Sequence, residues 1–378
     1  MAQKSIVLFL LLFPAFWACK TAQKGASGPA DIEVIAYYSG NADEVGRFRA
    51  DQLTQIIYSF CHLRGNELAV DNAADSLTIR RLVALKQKNP RLKVLLSLGG
   101  WGGCETCSPV FAGEAARREF AASVLRLIRE YGCDGIDLDW EYPAIEGYPG
   151  HAYDPADKRH FTLLVQELRR VLGPRYEISF AAGGFQRFFD HSVEWAEVMP
   201  LLDRVNLMSY DLVSGFSTQT GHHTPLYSSP RQQLSADYGV RYLDSIGVPR
   251  KKIVIGAAFY ARSWEQVPNT DRGLYQPGKF KSFISFRQFD TRLSPKDGFV
   301  FYRDSIAQAP YAYSVARGEF ATFDDATSVA LKTKYAREKG LGGIMFWQLG
   351  GDTDTNGLLQ AIHDARHSKM NYNRRATK

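Results

Sequence analysis

Eight short β-rich apolar runs recur along the chain, and most are separated by a stretch with helical periodicity. The runs occupy 32–38, 55–60, 92–98, 135–140, 177–181, 205–208, 252–260 and 343–349; helical patterns lie between them at 115–131, 159–172, 193–202 and 328–339. A strand followed by an amphipathic helix, repeated, builds a parallel sheet, because each helical crossover returns the chain to the same end of that sheet. Eight such units is the number that closes, so the expected architecture is α/β, a TIM (β/α)8 barrel. A chain of 378 residues exceeds what a bare barrel needs. The surplus sits at 263–320, where Gly, Pro and aromatic residues mix with short alternating runs and no long helical period. That stretch reads as a small α+β insertion between strands seven and eight, on the face that carries the C-terminal ends of the strands, where barrel active sites are built.

The N-terminus has a different logic. Lys4 precedes an uncharged run from Ile6 to Ala18, too short to span a bilayer and of the length of a signal-peptide core. Residues 1–18 are therefore expected to be a signal peptide, 19–30 a polar linker, 31–367 the barrel, and 368–378 a basic tail. Ala18 lies directly before Cys19, as in a bacterial lipoprotein cleavage site at which Cys19 is lipidated, although Phe16 departs from the aliphatic residue usual three before the Cys. The expected location is the outer membrane or cell surface as a lipoprotein, otherwise the periplasm or medium; the only membrane contact would be that lipid anchor. Of the other cysteines, Cys104 and Cys107 form a C-x-x-C that in an exported chain reads as a local disulfide stiffening a loop. Cys61 and Cys133 lie in apolar runs and read as buried thiols.

Charge excludes one class of function. A net charge of +6 spread over 46 basic and 40 acidic residues, without a basic run, argues against a nucleic-acid partner. Aromatics make up 13% of the chain, and flat aromatic faces suit sugar rings as well as cores.

The most informative segment is Asp134-Gly-Ile-Asp137-Leu-Asp139-Trp-Glu141-Tyr142-Pro. On a strand, Asp137, Asp139 and Glu141 point to one face and Ile136, Leu138 and Trp140 to the other. In a closed barrel the acidic face is the interior. Like charges stacked in low dielectric repel and desolvate badly, so the acids are expected to share protons, with Glu141 at the strand end protonated near neutral pH and fit to be a general acid. Clustered acids also suit a metal, but no His accompanies them at ligand spacing. Asp134 is out of phase with the other three and reads as structural.

These residues resemble glycoside hydrolase family 18, the chitinase family, whose signature D-x-x-D-x-D-x-E ends the fourth barrel strand. Further motifs keep the family's order: Ser97-Leu-Gly99-Gly100-Trp101 after strand three, Met208-Ser-Tyr210-Asp211 at strand six, Phe259-Tyr260-Ala-Arg262 at strand seven and Gly343-Ile-Met-Phe-Trp347 at strand eight. The 263–320 stretch corresponds to the family's chitinase insertion domain. The resemblance implies hydrolysis of β-1,4-linked N-acetylglucosamine polymers by the substrate-assisted route that departs from the two-carboxylate scheme. In that route Glu141 is the acid, the substrate's acetamide oxygen attacks the anomeric carbon, Asp139 steadies the acetamide N–H with Asp137 beneath it, and Tyr210 donates to the acetamide oxygen. Trp347 would floor the reacting sugar, and Asp211, Tyr260, Arg262, Tyr142, Met208, Trp101 and Gly100 would contact substrate, Gly100 chiefly by supplying a turn. No cofactor or metal is implied, and a monomer is expected. The rival readings are a family-18 hydrolase of N-glycan cores or peptidoglycan, and a non-catalytic chitin-binding lectin. Such lectins lose the terminal Glu or the Asp before it, and here both are intact.

If Cys19 carries the lipid, Cys19→Ala should shift the protein from the membrane fraction to an unprocessed or soluble form, since two acyl chains anchor stably. Fractionation of wild type and variant checks this; mature wild type free in the medium and cut at another site would exclude the anchor.

Overall fold

The computed structural model describes residues 31–368. The signal peptide, the linker, Cys19 and nearly all of the basic tail lie outside the described residues. Strands β1 (Glu33–Tyr38), β2 (Gln55–Arg64), β3 (Glu67–Ala69), β4 (Lys93–Gly99), β5 (Gly135–Asp139), β6 (Glu177–Gly183), β7 (Arg204–Met208) and β8 (Ile253–Ala258) precede the insertion. The insertion holds β9 (Tyr260–Glu265), β10 (Lys279–Ser285), β11 (Phe299–Asp304), β12 (Ala309–Ser314) and β13 (Glu319–Phe323), and β14 (Gly343–Trp347) completes the barrel. Parallel pairing runs β1-β2-β4-β5-β6-β7-β8-β14 and returns to β1, closing an eight-stranded barrel, while β3 is a short antiparallel flap on β2.

Strand alternation divides the core in two. Outward residues such as Leu96, Leu98, Ile136, Leu138, Ile178, Phe180, Val205 and Leu207 join a large cluster with the helices. Inward residues such as Tyr37, Leu95, Met208, Tyr210 and Met345 fill the lumen. The long helices end where their sequence says they must. Glu114–Tyr131 stops at Gly132 and Ala326–Lys339 at Gly340, both left-handed, and Asp325 caps the latter through a reciprocal bond with Ser328.

Several boundaries differ from the sequence reading: β2 runs on to Arg64 and β6 to Gly183, and three others change the path of the chain. The apolar run 252–260 is two strands: the chain leaves the barrel at Phe259, and Tyr260 already starts the antiparallel insertion sheet, ordered β10-β9-β13-β12-β11. Tyr260 and Arg262 therefore stand on the insertion and not on the end of barrel strand seven. The helix expected at 193–202 is a single turn, Trp195–Val198, because Pro200 lacks the N–H that would continue it. The last barrel strand ends at Trp347 rather than at Leu349, where a 3-10 turn, Leu349–Gly351, takes over. Cys104 and Cys107 are joined in a disulfide, and Cys61 and Cys133 are buried free thiols.

The return from the insertion is fixed by a buried ion pair. Lys332 Nζ lies 2.6 Å from Asp324 Oδ2, both side chains fully buried. Asp324 also accepts from Ala258 N at 2.9 Å and Ser328 Oγ at 2.6 Å, and Lys332 donates to Thr224 Oγ1. One carboxylate thus ties β8, the helix after β13 and the loop after β7. Lys332→Met should destabilise the protein by about 3–5 kcal/mol, because it strands a buried charge, and adding Asp324→Asn should recover part of that loss. Denaturant unfolding of the two variants checks this; a loss below about 1 kcal/mol would mean the pair is not desolvated.

Candidate active site

The inward face of β5 carries its acids up the barrel axis. Asp137 has no solvent exposure. It accepts from Tyr37 Oη (3.0 Å), Ser97 Oγ (3.1 Å), Ser179 Oγ (2.6 Å) and Asn206 Nδ2 (3.1 Å), donors from β1, β4, β6 and β7. Burial still pushes its pKa up, against those four bonds. Asp139, two residues on, is buried, and its Oδ1 has no hydrogen-bond partner in the protein. Its pKa is raised well above the carboxylate range by burial first, then by the charges of Glu141 and Asp137.

Glu141 stands just past the strand end, partly open to the cleft. Burial pushes it up to about 7; a hydrogen bond from Tyr142 opposes the shift and the negative charge of Asp211 adds to it. The peptide between Glu141 and Tyr142 is cis. Asp134, by contrast, faces the opposite end of the barrel, accepting from Val94 N at 2.7 Å and pairing with Lys86 at 2.6 Å. Its role is structural, as its phase indicates.

Across the lumen, β7 delivers Met208 and then Tyr210, whose hydroxyl contacts Met345 Sδ at 3.8 Å. Asp211 comes next, in the left-handed region at φ 55°. Arg262 grips Asp211 through Nε and Nη2, Tyr260 Oη donates to it at 2.8 Å, and His223 Nδ1 lies 3.4 Å away. Burial alone would raise Asp211, but bonds from Arg262 and His223 and their charges outweigh it, so the carboxyl sits well below its usual range. Two acids in one cleft are therefore driven apart, Glu141 towards its protonated form and Asp211 towards its ionised one.

Aromatic side chains line the rest. Trp347 stacks on Phe60 at 5.6 Å and tilts against Tyr37 at the mouth. Trp101, 47% exposed, meets Tyr142, Tyr148 and Phe216, so that loops after β4, β5 and β7 touch over the acid. Gly100 has φ 80°, and a Cβ there would fall 2.3 Å from Phe60; its N–H donates to Asp139 O at 2.8 Å. It fits a close backbone turn against Phe60. Of the other sequence-derived candidates, Asp137 lies deeper in the lumen, and the rest except Cys19, Cys104 and Cys107 gather around this mouth. Cys104 lies just behind it, 3.0 Å from where a Cβ on Gly99 would stand. Among the described residues no group of three or more His, Cys, Asp or Glu is arranged to hold a metal ion.

Sequence reasoning missed Tyr37, Ser179, Asn206, His223 and Phe216. Ser179 and Asn206 did leave a signal, as polar residues in phase with the lumen on otherwise apolar strands. His223 and Phe216 lie in an irregular loop with no period to read.

Residues 33–352 match the model of the Glycosyl hydrolases family 18. Chitinase A1 of Niallia circulans is 34% identical over 72% of this chain, a match that spans 42% of that protein, and Chitinase B of Serratia marcescens is 31% identical over 83% of this chain and 76% of its own. Among solved structures, a family 18 N-acetylglucosaminidase from Paenibacillus barengoltzii superposes with a TM-score of 0.80 at 37% identity, covering 88% of this chain and 99% of that one.

If Glu141 delivers a proton in the rate-determining step, only its protonated form is active. Since its pKa lies at about 7, kcat/KM should fall as pH rises through roughly neutral, while Asp211 stays ionised throughout. The limb belongs to the Glu141–Asp139 pair rather than to one carboxyl. A pH–rate profile flat from about pH 5 to 9 would remove Glu141 from that role.

Proposed function

The chain belongs to glycoside hydrolase family 18, and from that premise we propose that it is a chitinase, hydrolysing β-1,4 bonds between N-acetylglucosamine units with retention of configuration. One observation carries the reading: a carboxyl held near neutral pKa at the rim of a stack of buried acids, while the carboxylate across the lumen, Asp211, is tied to Arg262 and Tyr260. The chemistry follows from the positions. Glu141 protonates the glycosidic oxygen as that bond breaks, and the acetamide carbonyl oxygen of the same sugar bonds to the anomeric carbon, giving an oxazolinium ion. Asp139, whose Oδ1 lacks a protein partner, accepts from the acetamide N–H and offsets the charge that develops there. Tyr210, whose hydroxyl makes only a weak contact to a sulfur, is free to donate to the acetamide oxygen. Glu141, now ionised, takes a proton from water, which opens the ring from the face the leaving group left. Asp211, locked by Arg262 and Tyr260, is a fixed acceptor for a hydroxyl of the same sugar, and Trp347 is its apolar floor.

The Paenibacillus neighbour favours a second reading, removal of single N-acetylglucosamine units from a chain end by the same chemistry. Both readings keep the mechanism and differ in product size.

The acetamide is the test. A glucosamine unit in the reacting position has no carbonyl to attack, and an internal nucleophile is worth several kcal/mol of barrier, so discrimination should be near total. Partially deacetylated chitosan digested with the enzyme should give new reducing ends that are almost all N-acetylglucosamine, formed first as the β-anomer. The Glu141→Gln variant should give none. Free monomer from the earliest times would favour chain-end action; a large share of glucosamine ends, or initial α-product, would sink the mechanism.

A further inference from the structure

Trp101 is mounted on a segment that cannot hold it alone. The segment is Gly99-Gly100-Trp101-Gly102-Gly103, and Gly99, Gly100 and Gly102 take φ of 103°, 80° and 87°. Glycine loses more conformational freedom on ordering than any other residue, so a run of this composition is costly to keep in one shape. The surroundings add little. Of the rings that Trp101 meets, Tyr148 and Phe216 are themselves exposed. The backbone supplies two ties, Gly100 N to Asp139 O and Gly103 N to Gly100 O, each 2.8 Å.

The segment regains the core at Cys104, which is buried and joined to the buried Cys107. Cys107 opens the helix Cys107–Ala112, whose Phe111 packs on Phe120 and Trp140 with ring centroids 5.1 and 5.5 Å away. Trp140 is the residue between Asp139 and Glu141. On the other side, Cys104 Sγ lies 3.0 Å from where a Cβ on Gly99 would stand, a point 2.4 Å from Asp139 O. The bridge thus joins the two ends of the glycine segment to the end of β5 and to a helix seated in the core. A ring closed between residues three apart constrains the unfolded chain less than a longer loop does, so global stability is the smaller part of its effect. We infer that the Cys104–Cys107 bridge is a positioning element for Trp101, holding the glycine segment in advance so that the indole stands ordered at the mouth before a sugar chain arrives. The inference rests on the proposed reading of the site and deepens it, making the hold on long substrates depend on an oxidised cysteine pair.

The test removes the bridge with Cys104→Ser plus Cys107→Ser, or with Cys104→Ala plus Cys107→Val should the serine pair fail to fold. On the chitin hexasaccharide the unbridged enzyme should lose roughly three- to tenfold in kcat/KM, the size of one aromatic contact, and little on the shortest methylumbelliferyl glycoside that is cleaved. Coupling to Trp101 is the decisive readout. With Trp101→Ala already present, removing the bridge should cost nothing further on the hexasaccharide, because both changes forfeit the same contact. Additive losses, or equal losses on both substrates, would overturn the inference and leave the bridge as packing behind β5. A second measurement needs no turnover: fluorine NMR of protein labelled with fluorotryptophan, with the Trp101 signal identified by its absence from Trp101→Ala. That signal should move towards the position of the free amino acid when the bridge is removed, and an unmoved signal would overturn the inference. A wild type that cleaves neither substrate would defeat the proposed function, while the fluorine signal would still decide the role of the bridge.

Discussion

A carboxylate without solvent has to be built into the fold, and Asp137 is the one on which this structure turns. An ionised carboxyl away from water is costly unless its lone pairs are filled, and Asp137 fills its own with donors from four strands. Those donors are spread along the chain from Tyr37 to Asn206, so the set exists only when the barrel closes. Closure also sets the height of the other acids. With Asp137 fixed, the strand's period of two puts Asp139 one layer higher and Glu141 at the rim. The pKa directions grade accordingly: Asp137 is raised against four compensating bonds, while Asp139, with an oxygen left over, is raised well above the carboxylate range. Only Glu141 combines a pKa of about 7 with access to the cleft.

The opposite wall obeys the reverse electrostatic logic, and it is not built by the barrel alone. Asp211 is held ionised by Arg262, which stands on β9 of the insertion. The barrel and the inserted sheet therefore share one ion pair across the cleft. Other ties keep the two in register. His222 Nε2 lies 3.1 Å from Asp304 at the end of β11, and Thr224 meets Asp324 just past β13. The segment 222–224 thus connects, residue by residue, to the insertion, to Asp211 and to the buried Lys332 pair. The inserted stretch, expected on the active-site face, supplies part of one wall.

How much of this was legible depends on periodicity. Asp137, Asp139 and Glu141 could be placed on one face, and Ile136 and Leu138 on the other, because strand alternation is strict. Asp134 could be set aside on phase alone. The exit from the barrel at Phe259 was not legible, because the run 252–260 stays apolar through a change of sheet; only the pairing partners change. His223 and Phe216 were invisible for a related reason: an irregular loop has no period, and their roles come from which strands the closed barrel brings beside them.

The exposed aromatics close the physical account. Trp101 is 47% exposed and Phe216 70%, and they touch each other beside Tyr142. A contiguous apolar patch of this kind is costly in water and marks a surface meant to be covered. On the proposed reading the cover is a sugar ring, apolar on one face and polar at its edges, which suits a mouth that also presents Glu141, Asp139 and Tyr210. Covering it also removes water from Glu141, whose raised pKa already comes first from burial. Each electrostatic interaction in the cleft strengthens as water leaves. If the aromatic mouth holds the substrate as proposed, binding and proton delivery draw on the same desolvation.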